Sequence, residues 1–260
     1  KISSLDELES VATMGFRGEA LAAIASIAEF SLLSRASSQD SAWHINAHTG
    51  ELRPAARDQG TTVEVRELFF SVPARRKFLK TDATELAHCV EAVRRHALAR
   101  PDVGFAIWHE GKLHAQWRAQ SSAADPSGHE ARTADVLGSE FIEQSVAVEE
   151  IGTHIHVHGR AGLPAVARSR ADKQYVYVNG RFVRDKVIQH AVRTAYEDVL
   201  HGQRQPAYVL HIDIEPARVD VNVHPTKIEV RFRDSREVHQ AVRRALEHAL
   251  AAPRAALADT

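Results

Sequence analysis

Along this chain the apolar positions change their period several times, and each change marks a new element. Ser4-Leu5-Asp6-Glu7 has the form of a capping box, a hydroxyl followed three residues on by a carboxylate, and predicts a short helix. Leu21, Ile24 and Ile27 fall at helical spacing behind Gly15 and predict a second helix. Residues 30–34, 42–47 and 61–65 cluster or alternate as strands do, the last as a β-branched run after Gly60. From Pro73 the pattern is helical again: proline suits a first turn, and residues 74–80 are strongly basic. A longer helix over residues 84–99 turns Leu86, Val90, Val93 and Leu98 inward and stops before Pro101. Residues 105–108 and 113–117 flank His109-Glu110-Gly111-Lys112 and predict a hairpin.

The periodicity then lapses. Residues 120–128 (Gln-Ser-Ser-Ala-Ala-Asp-Pro-Ser-Gly) are small and polar, with nothing to bury, and predict a linker. Beyond it come a helix, strands near residues 145–149, 154–160 and 174–178, a helix over 185–200, a strand over 207–214 and a last helix over 236–249. The 185–200 helix carries one apolar stripe of Val187, Ile188, Ala191, Val192, Ala195, Tyr196 and Val199. Val238, Val242 and Leu246 mark the core side of the last helix, and the alanine-rich residues 251–260 are expected to fray. The expected organisation is two α/β domains, residues 1–120 and 130–250, joined by a linker at 121–129.

Composition narrows the function classes without choosing one. The chain has 260 residues, 44% hydrophobic and 26% charged, which is ordinary for a globular protein. No apolar run approaches the roughly 20 residues that span a bilayer, so no membrane partner is expected. A single cysteine, Cys89, excludes an internal disulfide framework and fits a reducing, cytoplasmic compartment. The net charge of −1 excludes a polycation, so any nucleic-acid contact must come from a local basic face. The chain opens at Lys1 and its only methionine is Met14, which reads as a cut N-terminus.

Three segments carry possible chemistry. In Gly15-Phe16-Arg17-Gly18-Glu19-Ala20-Leu21, two glycines bracket an arginine at the mouth of a helix, where backbone N–H groups and the helix dipole can meet an anion. A glycine hinge with a solvated arginine has the same pattern. The basic run after Pro73 suits either a solvated helix face or a surface facing nucleic acid. His154, His156 and His158 alternate along a predicted strand; zinc needs a further ligand and a geometry the sequence does not specify, so they read as a polar face and no metal is assigned. There is no Gly-x-x-x-x-Gly-Lys-Ser/Thr loop and no Gly-x-Gly-x-x-Gly.

Several of these segments, in order, resemble the MutL family of DNA mismatch-repair ATPases. Gly15 to Leu21, continued by Ala22-Ala23-Ile24-Ala25-Ser26-Ile27, is similar to that family's ATP lid. Gly60-Thr61-Thr62-Val63-Glu64-Val65 and the run through Ser71-Val72-Pro73-Ala74-Arg75-Arg76-Lys77-Phe78-Leu79-Lys80 are similar to its glycine-threonine motif, with Ser71-Val72 where asparagine-threonine is usual. Tyr175-Val176-Tyr177-Val178-Asn179-Gly180-Arg181-Phe182-Val183-Arg184-Asp185, and Val219-Asp220-Val221-Asn222-Val223-His224-Pro225-Thr226-Lys227-Ile228, resemble its second domain. The resemblance implies the C-terminal part of a GHKL (Bergerat-type) ATPase sandwich, then a domain like the second domain of ribosomal protein S5.

It also implies a site. Gly15, Phe16, Arg17, Gly18, Glu19, Ala20 and Leu21 would close over the phosphates of ATP carried with Mg²⁺, with Thr61 and Thr62 beneath the nucleotide. Lys227 would reach the terminal phosphate as the catalytic cation. Arg181, Arg184, Lys186 and Arg193 would face DNA. The implied partners are DNA, the mismatch-recognition protein MutS, a downstream endonuclease or helicase, and a second copy of the chain. The family's catalytic glutamate, its Mg²⁺ ligand and its adenine-reading aspartate have no counterpart here, so the chain alone is expected not to hydrolyse ATP. A non-enzymatic S5-like module and a gyrase-type ATPase are the competing readings; the lid argues against the module, which would have no use for it.

Overall fold

A computed structural model describes residues 19–120, 126–200, 204–221, 223 and 228–258. The capping box at Ser4, the segment from Gly15 to Gly18, and Lys227 lie outside the described residues. The chain divides into two compact units, one of residues 15–86 and one of residues 87–260 together with 1–14.

In the first unit, helix α1 (Ala20–Ala25) leads into a four-stranded antiparallel sheet of β1 (Glu29–Arg35), β2 (Ala42–Asn46), β3 (Leu52–Ala55) and β4 (Gly60–Arg66), in the order β3-β2-β1-β4. The sequence pattern did not show β3. Pro54 cannot donate to a ladder, which confines β3 to the edge it occupies beside β2. Side chains of one sheet face, Trp43, Ile45, Val63 and Val65, remain substantially exposed. Helix α2 (Pro73–Arg76) is a single turn opened by its proline, shorter than the basic segment suggested.

Helix α3 (Asp82–Ala99) runs from the first unit into the second and ends ahead of Pro101. There the hairpin of β5 (Phe105–His109) and β6 (Lys112–Trp117) turns at Glu110 and Gly111, whose φ values of 50° and 75° give the left-handed pair that a tight turn needs. Helix α4 (Pro126–Leu137) takes up Ser127 and Gly128, so the predicted linker is shorter than its composition suggested. Helix α5 (Ser139–Glu143) follows.

Five strands form the main sheet: β7 (Ser145–Ile151), β8 (Ile155–Gly162), β9 (Gln174–Val178), β10 (Arg181–Phe182) and β11 (Tyr208–Ile214), in the order β10-β9-β11-β8-β7. Asn179 and Gly180, with φ of 49° and 75°, make the β9–β10 turn, and the Asn179 amide exchanges two 2.9 Å hydrogen bonds with the Ile214 backbone. Strands β9 and β11 are parallel and joined across helix α6 (Lys186–Tyr196). Helix α6 begins where the Asp185 carboxylate accepts from the Val187 and Ile188 amides at 2.8 and 3.1 Å. Strands β12 (Val219–Asp220) and β13 (Arg231–Phe232) pair beyond it. The last helix, α7 (Ser235–Ala258), runs past residue 249, through the segment expected to fray; alanine is the best helix former.

The buried stripe of α6 (Ile188, Ala191, Val192, Ala195, Tyr196) packs with Val238, Val242 and Leu246 of α7 onto Val148, Val157, Val178, Leu210 and Ile212 of the sheet. The opposite sheet face places Tyr175, Tyr177 and Val209 against Leu98, Leu137 and Phe141. The strands need close approach at Gly159: a Cβ there would lie 2.1 Å from the Val209 carbonyl oxygen.

Arg132 holds these pieces together. It has no exposed surface, and its guanidinium donates to the carbonyls of Ala97, Arg100, Pro101, Val103 and Arg118 at 2.7, 3.3, 3.0, 2.8 and 2.7 Å. A residue of α4 thus joins the end of α3 and both flanks of the β5–β6 hairpin, which is why residues 87–120 fold with the later strands rather than with residues 15–86.

Candidate nucleotide and nucleic-acid sites

In the first unit the two motifs meet through the backbone. The amide of Phe69 donates to Ile27 O at 2.8 Å and the Ser71 hydroxyl to Ser26 O at 3.3 Å, so the loop after β4 is fastened to the end of α1. At the other end of α1, Glu19 occupies the cap position, and its side chain makes no cap hydrogen bond. Glu19, Ala20 and Leu21 are exposed.

Thr61 and Thr62 follow Gly60 in β4, opposite Ser34 and Leu33 of β1. The Thr61 hydroxyl lies 2.8 Å from the Ser34 hydroxyl, and Thr62 Oγ1 accepts from Arg57 Nη1 at 2.8 Å. Arg57 also donates to Leu33 O and Asp58 O, both at 2.9 Å, and its Nη2 sits 3.2 Å from where a Cβ on Gly60 would stand. Glycine at position 60, with φ of 131°, therefore admits the Arg57 guanidinium beside Thr62, while Thr61 turns to the other sheet face and pairs with Ser34. Sequence reasoning missed Arg57, because nothing in its local pattern sets it apart from other loop arginines.

In the second unit the predicted DNA-facing residues part company. Arg181 of β10 is only 9% exposed, and burial lowers its pKa, which leaves its guanidinium little surface to offer a phosphate. Arg184, Lys186 and Arg193 are exposed. Lys186 and Arg193 lie seven residues apart on α6, on one face, and with His190 and Arg204 they line a cleft of about 890 Å³. The Arg184 backbone N–H donates to Ile228 O at 2.6 Å, and β12 pairs with β13 through Val219 with Phe232 and Asp220 with Arg231.

The alternating histidines have acidic partners. His154 meets Glu215 at 3.0 Å, His156 meets Glu149 at 2.7 Å and His158 meets Asp213 at 3.1 Å. The hydrogen bond from His158 holds the Asp213 carboxyl below its usual range. His211, which the sequence did not single out, is buried and stacks between His158 and Tyr177, with ring centroids 5.1 and 4.9 Å away. Among the described residues no helix is long and apolar enough to cross a membrane.

The described residues share their fold with solved domains of DNA-repair proteins. The solved N-terminal domain of a DNA repair protein superposes with a TM-score of 0.78 at 24% identity, covering 98% of this chain and 84% of that one. The Aquifex aeolicus MutL ATPase domain complexed with ADP superposes with a TM-score of 0.59 at 24% identity, covering 92% and 80%. Residues 133–251 match the family model described as DNA mismatch repair protein, C-terminal domain. The DNA mismatch repair protein MutL of Ralstonia nicotianae is 57% identical over 250 residues, 96% of this chain. The chain belongs to the MutL family of DNA mismatch-repair proteins. It spans 38% of the length of that relative.

Proposed function

We propose that the protein is a nucleotide-switched ATPase of DNA mismatch repair, in which ATP carried with Mg²⁺ closes a lid and brings two copies together on DNA. The observation that carries this reading is the 57% identity to a MutL protein over 96% of the chain, which takes in both the lid and the Lys227 segment. In this reading Arg17, Gly18 and the first-turn amides of α1 hold the phosphates, as oriented N–H donors do at a helix start. The Glu19 side chain makes no cap hydrogen bond to that turn, and the Arg57 guanidinium beside Thr62 gives that strand a charge of the sign an anion needs. Lys227 supplies a cation to the charge that develops on the terminal phosphate. The lid and glycine-threonine segments belong to the ATPase half, residues 130–250 form the transducer, with which residues 87–120 fold, and the partners are MutS and a downstream endonuclease or helicase.

Arg184, Lys186 and Arg193 are the residues we assign to the DNA backbone, since phosphate contact needs clustered cations and no base reading. The test of the ATPase reading is Lys227→Ala in the full-length protein. Turnover should fall by about two orders of magnitude or more, as for loss of a cation that acts in the transition state, while nucleotide binding persists. Unchanged turnover would overturn the assignment.

A further inference from the structure

The sheet register brings together a set of ligands that the sequence leaves apart. His156 and His158 stand two residues apart on β8 and share a face, and Asp213 of β11 lies directly opposite His156. The ring nitrogens of the two histidines and a carboxylate oxygen of Asp213 all fall within 4.8 Å of one another. His158 Nε2 is 3.1 Å and His156 Nδ1 is 3.8 Å from the same Asp213 oxygen, Oδ2. Tetrahedral zinc with bonds near 2.0–2.1 Å separates its ligands by roughly 3.3–3.4 Å; the two histidine–Asp213 distances bracket that edge, and the histidine nitrogens, within 4.8 Å of each other, close to it by rotation of the two rings.

The surroundings favour a built site over a chance meeting of ionisable groups. The second nitrogen of His156, Nε2, is 2.7 Å from Glu149 Oε1 on β7, which directs Nδ1 toward Asp213. A carboxylate behind a ligating imidazole fixes the tautomer and raises ligand basicity. His158 is held by stacking: its ring lies 5.1 Å from buried His211 at an interplanar angle of 15°, and 4.8 Å from His156. All three ligands keep access to solvent.

We propose that His156, His158 and Asp213 form a binding site for a first-row divalent transition-metal ion of the Zn²⁺ class, with Glu149 orienting His156 and a fourth position left to solvent. Two imidazoles and one carboxylate are the borderline donor set such ions take. Because the ligands come from adjacent strands, bound metal would clip β8 to β11.

The test uses the untagged, chelator-stripped 260-residue chain, titrated calorimetrically with Zn²⁺ and followed by visible absorption with Co²⁺. One equivalent should bind, with Co²⁺ giving tetrahedral ligand-field bands. His158→Gln and Asp213→Asn should each weaken binding at least tenfold, and Glu149→Gln, which removes no ligand, should weaken it roughly 10–100-fold. His190→Gln, which alters a close histidine pair elsewhere in the fold (His190 Nδ1 to His239 Nε2, 2.8 Å), should change nothing. Circular dichroism of each variant checks that it is folded. Absence of saturable binding at one equivalent, or binding that survives the triad substitutions and disappears with His190→Gln, would overturn the assignment.

Discussion

Arg132→Met is the substitution that probes the architecture most directly. Methionine keeps much of the length and removes every donor. The acceptors then matter one by one. Ala97 O would ordinarily bond the amide four residues on, but that residue is Pro101, which has no N–H; Arg132 Nη1 supplies the missing donor at 2.7 Å. Val103 O and Arg118 O, at 2.8 and 2.7 Å, flank the hairpin and receive the other arm of the fork. Pro101 O retains the Gln120 amide at 2.7 Å, so it does not become an orphan. Orphaned buried carbonyls cost about 1–3 kcal/mol each. Against that sum, removing a fully buried cation relieves a desolvation cost of several kcal/mol, and water can enter the gap. The balance gives a loss of about 3–5 kcal/mol, in line with breaking a buried charged network and a large share of the 5–15 kcal/mol typical of a domain.

Urea unfolding followed by circular dichroism measures the total, and fluorescence of Trp117, buried next to Arg118 at the end of β6, reports on the hairpin. Arg132→Lys, a point cation with three donors in place of a planar fork, should fall between wild type and methionine. A methionine variant within about 0.5 kcal/mol of wild type, the range of an ordinary surface change, with unaltered Trp117 emission, would refute the view that Arg132 joins residues 97–118 to the later sheet.

Two further outcomes follow from buried phenols and from the basic cleft. All four tyrosines, Tyr175, Tyr177, Tyr196 and Tyr208, are buried, and burial raises each pKa, that of Tyr175 to about 12 with help from the Glu91 carboxylate. The folded state keeps protons that the unfolded chain releases near pH 10, so this stabilisation is complete below pH 10 and is lost as pH rises toward 12. Tyr175 alone accounts for about 3 kcal/mol of that loss. Tyrosinate absorbance should therefore appear in one step together with loss of circular dichroism; tyrosinate formed gradually in a folded protein would contradict the burial. For DNA, Lys186→Glu with Arg193→Glu in the full-length protein should weaken binding and flatten its dependence on log salt by about 0.9 for each phosphate no longer neutralised; an unchanged slope would remove α6 from the interface.

Much of this was legible in the chain. The stripe from Val187 to Val199, the Asn179-Gly180 and Glu110-Gly111 turns and the Gly60-Thr61-Thr62 strand start depend on neighbours a few residues away, and local spacing records such neighbours. Pro54 hid β3 because a proline argues against a ladder unless the strand is known to lie at an edge. Arg181 looked like its exposed neighbours, since a two-residue strand gives no periodicity from which to read burial. Arg132 sits in a helix with no distinguishing pattern and takes its meaning from carbonyls 14 to 35 residues away.

The sequence alone determined the family and the longer helices and strands, because those rest on residue type and short-range period. Only the tertiary structure decided where the compact units divide, which arginine is buried, and that Asp213 lies across from His156. Each of those depends on chain segments meeting at long range, through sheet register and buried hydrogen bonding, and no local period encodes such a meeting.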